Sequence, residues 1–155
     1  MNQNRREFVK VGGVLGLMAA AGLITTEQAR AQQQAWNKAA FDAKSTDETV
    51  KALGGSSAAQ SADIAITAPE IAENGAVVPV AVTSKIPNTQ GIYVLVEKNP
   101  NALAAGFTIP AGTEPTVSTR IKMGQTSNVH AVVKADNKFF VASKEVKVTL
   151  GGCGG

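Results

Sequence analysis

The sequence predicts a mainly β fold: an immunoglobulin-like antiparallel β-sandwich with N-terminal helices ahead of it and a flexible C-terminal Gly-Gly-Cys-Gly-Gly arm behind it. Three observations carry that prediction. From Asp63 onward, apolar residues recur with period two in about seven short stretches, each bounded by Gly, Pro, Asn or Asp. No helical pattern interrupts those stretches, which argues against a parallel sheet built from βαβ units. Helical spacing is confined to Gln33–Gly54, ahead of the first strand.

Residues 1–31 read as an export signal. The basic stretch RREFVK is followed by the apolar run VGGVLGLMAAAGLI, and Ala29-Arg30-Ala31 supplies a cleavage site. The paired Arg5 and Arg6 predict recognition by the twin-arginine (Tat) route and a periplasmic destination. Asn4 and Val9 depart from the common pattern, which has Ser or Thr before the pair and Leu after Phe. The apolar run, about fourteen residues, is too short for a membrane span of roughly twenty, and the mature form is expected to have no membrane segment. Gly12 and Gly13 speak against a cytoplasmic helix at this point.

Removing 31 of 155 residues leaves 124, enough for one domain with one core. The expected division is signal 1–31, a helical N-terminal segment plus β-sandwich domain 32–150, and arm 151–155. The signal takes Arg5, Arg6, Lys10 and Arg30 with it, along with Glu7 and Glu27. The chain's 15 basic and 12 acidic residues thus fall to 11 and 10. A nearly neutral domain without a basic stripe or stacking aromatics argues against nucleic acid as a partner.

Within the domain, QQAWNKAAFDAK (33–44) sets Trp36, Ala40 and Phe41 at helical spacing and predicts a first helix docked through Trp36 and Phe41. Ser45 and Glu48 have capping-box spacing, Val50 and Leu53 continue the pattern, and Gly54 is a natural stop. GSSAAQSA (55–62) reads as a small-residue linker. Strands follow in DIAITAP, VVPVAVTS, GIYVLVEK, FTIP, PTVSTRIKM, NVHAVVKA and KFFVASKEVKVTL. Asp136-Asn137-Lys138 marks a hairpin turn. Pro79 lacks a ladder donor, so its strand is expected at an edge or with a bulge. With only Phe139 and Phe140 as an aromatic pair, the core must come from Val, Ile, Leu and Ala. A partner covering one sheet face would help it.

The chain holds one His and one Cys. That excludes the usual His and Cys clusters for zinc, copper or iron within one subunit, and no cofactor or metal site is expected. In NVHAVVK, Val129, Ala131 and Val133 should face one way and His130 the other, with Val132 and Lys134. His130 reads as a partly exposed strand residue, since no Ser, Cys or carboxylate adjoins it in sequence to activate it. The acidic residues are scattered and suit a solvated surface. NPNALAAGF has no phosphate-loop spacing.

Cys153 is different. It stands in GGCGG, after the last strand, among residues without side chains to shelter it. Five residues reach at most about 17 Å at roughly 3.4 Å each, and glycine keeps that length supple and slim enough for a narrow channel. A thiol of ordinary pKa is only a few per cent thiolate at neutral pH, and no Lys, Arg or helix start adjoins Cys153, so activation must come from a visited enzyme. A prenylation box fails, because glycines follow the cysteine. A redox enzyme is disfavoured by the lack of a CxxC or resolving cysteine. The alternative is a structural or adhesion-type sandwich joined to another chain by a disulfide at Cys153.

Taken with the twin-arginine signal, the two helices and the β-rich domain, the ending VKVTLGGCGG resembles the SoxY family, the sulfur-carrying subunits of the periplasmic thiosulfate-oxidising Sox system. The resemblance implies an immunoglobulin-like sandwich that forms a heterodimer with SoxZ and is a carrier, with no catalytic residue of its own. It implies that Cys153 is the covalent attachment point for thiosulfate-derived sulfur. Gly151, Gly152, Gly154 and Gly155 would serve as the swinging arm. It further implies loading by the haem enzyme SoxXA, hydrolysis by the manganese-dependent SoxB and, where present, oxidation by SoxCD. The haem and metals belong to those partners.

Overall fold

The helical spacing before the strands resolves into two short helices, α1 (Lys38–Asp42) and α2 (Thr46–Ala52), in a computed structural model that describes residues 37–150. Asn37 caps α1 by accepting from the Ala40 N–H at 3.1 Å, and its amide donates to the Ala52 carbonyl at 3.0 Å, which ties the helices together. Lys38 and Asp42 pair along the exposed face. The helix is shorter than expected because Ala43 is already extended. Ala40 is its buried residue and Phe41 is half-buried, while Trp36 lies outside the described residues.

The expected capping of α2 is present. Ser45 Oγ accepts from the Glu48 N–H at 3.2 Å, and the Glu48 carboxylate reaches back to the Lys44 N–H at 2.8 Å. Gly54 closes the helix with φ +91°, its N–H bonded to the Lys51 carbonyl at 3.0 Å. The next residue, Gly55, lets α2 sit on the sheet: a Cβ there would lie 2.5 Å from Phe139 Cδ2 and 2.8 Å from Val50 Cγ1.

Nine strands follow: β1 (Ala58–Gln60), β2 (Ile64–Thr67), β3 (Ile71–Ala72), β4 (Val78–Ser84), β5 (Thr89–Val96), β6 (Leu103–Thr108), β7 (Thr116–Ile121), β8 (Ser127–Ala135) and β9 (Lys138–Val148). The larger sheet runs β1-β9-β8-β5-β6 with β3 also on β9, and the smaller runs β2-β4-β7. The mainly β two-sheet fold is as expected, and its long ladders are antiparallel. The β8–β9 hairpin turns on Asp136 and Asn137, at φ 48° and 60°, the left-handed pair that a two-residue hairpin requires.

Three expectations need correction. The small-residue linker contains β1, which pairs in parallel with Phe139–Val141 of β9. The chain Ile71–Ala72 adds a second parallel pairing at Lys147–Val148. Both bind through main chain, so small or exposed side chains carry no period to read. The strand expected at Phe107–Pro110 begins earlier, at Leu103. Most instructively, Pro79 lies in the central strand of the smaller sheet. The Ser84 N–H donates toward Pro115 on the β7 side, and the Lys85 N–H donates to Asp63 on the β2 side. By alternation the Pro79 nitrogen faces the β2 side, yet β2 pairs only as far as Ala81. The missing donor therefore falls where no neighbour needs it.

The core is built from small aliphatics, as expected. Between the sheets lie Val78, Val80 and Val82 of β4, Ile92, Val94 and Val96 of β5, and Val129, Ala131 and Val133 of β8. A second cluster on the outer face of the larger sheet joins Leu95, Val132, Phe139 and Val141 to Ala40 and Val50 of the helices. Thus β5 and β8 are buried on both faces in mid-strand, and part of the sheet face expected to need a partner is covered by the chain's own helices.

Candidate functional site

Cys153 and its flanking Gly151, Gly152, Gly154 and Gly155 lie outside the described residues, as do Arg5 and Arg6. The structure does describe the root from which the cysteine segment leaves. β9 has eleven residues and is the longest strand among those described. Its end is fastened on both sides. The Lys147 N–H donates to the Glu70 carbonyl (2.9 Å), and the Thr149 N–H to the Ala72 carbonyl (3.1 Å). The Gly75 N–H then donates to the Leu150 carbonyl at 2.8 Å, and the Met123 N–H to the Gly75 carbonyl at 2.7 Å. Across the strand, Thr126 Oγ1 accepts from the Val148 N–H at 2.9 Å. Leu150 is consequently an anchored residue, three positions before the thiol.

Three exposed hydrophobic side chains belong to the segments at this root, beside the exposed Glu70, Glu73 and Lys147. Ile71, Val77 and Leu150, exposed by 58%, 52% and 67%, are the exposed large hydrophobic residues among those described. All three belong to the segments that fasten the end of β9: Ile71 pairs opposite Lys147, and Val77 follows the Gly75 that holds Leu150. Sequence reading missed this collar. Ile71 and Val77 are isolated apolar residues far from Cys153 in the chain, and only the parallel β3–β9 pairing brings Ile71 to the strand's end.

His130 faces away from the inter-sheet core, as expected, but it is not alone. Ser143 stands opposite it on β9, with Oγ 2.6 Å from His130 Nδ1, and Glu97, just past β5, places Oε2 3.8 Å from Nε2. Glu97 also accepts from the Asn128 amide at 2.8 Å. The expectation of no adjoining hydroxyl or carboxylate held in sequence and fails across strands. Ser143 lies in mid-strand, so no convergent main-chain donors surround it, and the cluster reads as cross-strand polar pairing. Among the described residues no group of three or more His, Cys, Asp or Glu side chains is placed to hold a metal ion, and no helix is long and apolar enough to cross a membrane.

Burial lowers the His130 pKa from its ordinary 6.5, with the Glu97 charge and hydrogen bond pulling partly back. A folded value below the unfolded one means that the unfolded chain takes up the proton first as pH falls. His130 therefore withdraws stability as the medium drops below about pH 6.5 and adds no pH dependence well above it. Urea unfolding at about pH 7.5 and about pH 5 should show a larger loss for the natural chain than for His130→Gln. Equal losses would mean that the ring titrates as if in water.

The family model described as "Sulfur oxidation protein SoxY" matches residues 50–153, a span that ends on the cysteine itself. Among solved structures, the sulfur carrier protein SoxY from Chlorobium limicola f thiosulfatophilum is 40% identical, with a TM-score of 0.63, covering 74% of this chain and 100% of that one. A structure concerned with the superantigen toxic shock syndrome toxin-1 is 11% identical with a TM-score of 0.37 over 55% of this chain and 98% of that one, too distant to carry an argument. Comparison with curated proteins returned no match. With a family match over most of the carrier domain and a solved relative matched along its whole length, the chain belongs to the SoxY family of sulfur carriers, which act in sulfur oxidation.

Proposed function

We propose that this chain carries thiosulfate-derived sulfur as a covalent adduct on Cys153 and presents it in turn to partner enzymes. The observation that supports this reading best is the fastened root with its exposed hydrophobic side chains: three residues span only about 10 Å. A protein that encloses the Cys153 sulfur then comes close to Leu150, with Ile71 and Val77 in the segments that fasten it. In the proposed cycle the Cys153 thiol and the outer sulfur of thiosulfate form an S–S bond. Two electrons pass to the haem enzyme SoxXA, the thiol proton is released, and a cysteine S-thiosulfonate results. Hydrolysis by SoxB then adds water across the bond between sulfur and the terminal sulfone, releasing sulfate and leaving a persulfide. SoxCD, where present, would take electrons from that remaining sulfur while water supplies the oxygen atoms and protons leave, before a second hydrolysis releases sulfate and restores the thiol. Export by the Tat route to the periplasm and pairing with SoxZ complete the proposal.

The collar can be tested apart from the chemistry. Leu150→Glu should raise the KM of the hydrolase for the loaded chain about fivefold to tenfold, the cost of one rim contact, with kcat and the reaction of Cys153 with small thiol reagents unchanged. An unchanged KM would show that the enzyme reads the cysteine segment alone. Mass analysis of the peptide containing Cys153, taken after incubation with thiosulfate and the partner enzymes, should reveal a thiosulfate or sulfur adduct removed by reductant. A disulfide to a second chain as the main product would favour the structural alternative instead.

A further inference from the structure

Of the chain's asparagines, Asn74 alone is followed by glycine. An asparagine can react with its own backbone when the amide nitrogen of the next residue reaches the side-chain Cγ. Glycine in that position puts no side chain in the way and lets the chain turn freely, so Asn-Gly is the pair in which the reaction meets least hindrance. Asn74 is exposed, so water reaches its side chain, while Gly75 is buried.

Gly75 is also the clasp that holds the root of the Cys153 segment. Its N–H donates to the Leu150 carbonyl at 2.8 Å, and its carbonyl accepts from the Met123 N–H at 2.7 Å. The Asn74 side-chain oxygen accepts from the Ala76 N–H at 2.9 Å, which folds the side chain back across Gly75. Just before it, the Glu73 carbonyl accepts from Thr149 Oγ1 at 3.2 Å. With its hydrogen directed at Leu150, the Gly75 nitrogen cannot turn to Asn74 Cγ without breaking that bond and pulling on the carbonyl that Met123 holds. A carbonyl oxygen also cannot take up the proton that the nitrogen must shed.

We propose that Asn74-Gly75 is a self-modification site kept closed by this clasp, and that its conversion to isoaspartate unfastens the root of the Cys153 segment. When the clasp opens, the Gly75 nitrogen loses its proton and attacks Cγ of Asn74. A C–N bond forms, the side-chain nitrogen leaves as ammonia with a proton in place of the one shed, and a succinimide ring results. Water opens the ring at either carbonyl and gives aspartate or isoaspartate; nothing is oxidised or reduced. In isoaspartate the backbone runs through Cβ and Cγ, which adds one bond of about 1.5 Å. A shift of that size carries contacts of 2.8 and 2.7 Å out of hydrogen-bond range, and it leaves a free carboxylate beside Glu73. The Thr149 N–H, bonded to the Ala72 carbonyl, is then the last fastening, one residue farther from the thiol and about 3.4 Å of added reach. The chemistry at Asn74 is independent of Cys153; only the use of that reach rests on the carrier reading.

The test ages the natural chain at mildly alkaline pH, folded and in urea, and follows isoaspartate in the peptide that contains Asn74 by mass and by enzymatic methylation. Conversion is expected in both samples, at least about tenfold slower in the folded one, because the reaction must wait for the clasp to open. Within the aged folded sample, converted molecules should exchange the Gly75 and Met123 amide hydrogens at least about tenfold faster than unconverted ones. Asn74→Ser keeps a short acceptor for the Ala76 N–H and cannot cyclise, so it should age without loosening either amide. Equal conversion rates in the two samples, or none in the folded chain, would overturn the proposal. So would converted molecules that keep both amides protected, or a serine variant that loosens as much as the natural chain. The rate comparison and the exchange measurement both use the natural chain, so misfolding of the serine variant would not shield the proposal.

Discussion

Cys153→Ser is expected to lower sulfate release from thiosulfate, in a mixture of this chain with its partner enzymes, at least about a thousandfold, to the background without carrier. The reason is elementary. A serine oxygen cannot form an S–S bond with thiosulfate, and the chain contains no second thiol to take over. The fold should not notice: the hydrogen bonds described above close at Leu150, so unfolding free energy should stay within about 0.5 kcal/mol of the natural chain. Sulfate is read by ion chromatography and stability by urea titration. Turnover that persists in the serine variant would remove the carrier reading while leaving the family assignment in place.

Gly152→Trp is expected to separate reach from reactivity. An indole next to Cys153 blocks entry to a narrow channel, or shifts the sulfur from its position of attack, where a displacement of about 1 Å can cost 100-fold. Sulfate release should therefore fall about tenfold to 100-fold. The reaction of Cys153 with a small reagent such as iodoacetamide should keep its rate, since a reagent in open solution meets no channel wall. Gly154→Trp should behave alike. If both reactions slow together, the tryptophan acts on the thiol itself and the need for a slim profile is mistaken. The pair of experiments also distinguishes this variant from Leu150→Glu, which is placed to alter docking and not entry.

The features readable in the chain were those with a local physical signature. Period-two valines in β4 and β8 marked strands because successive side chains alternate between faces. Ser45 with Glu48 marked the start of α2, and Asp136-Asn137 marked a turn, because each satisfies nearby main-chain groups by its own chemistry. Cys153 could be singled out because it is the chain's one thiol and sits among glycines, a statement about composition that no fold can alter.

What escaped was non-local. Pro79 lies in a central strand because β2 ends two residues short of it, and no property of Pro79 reports the length of another strand. β1 and β3 are held by main chain alone, so their side chains carry no trace of the partner. His130 gains Ser143 and Glu97, and Leu150 gains its bond to Gly75, only when stretches distant in sequence come into register. The sequence by itself marked the helices and the long strands and singled out the chain's one thiol, since each of these is decided within a few residues. The tertiary structure alone decided what surrounds the root of that segment, because hydrogen bonding between remote stretches of backbone depends on how the whole sandwich closes.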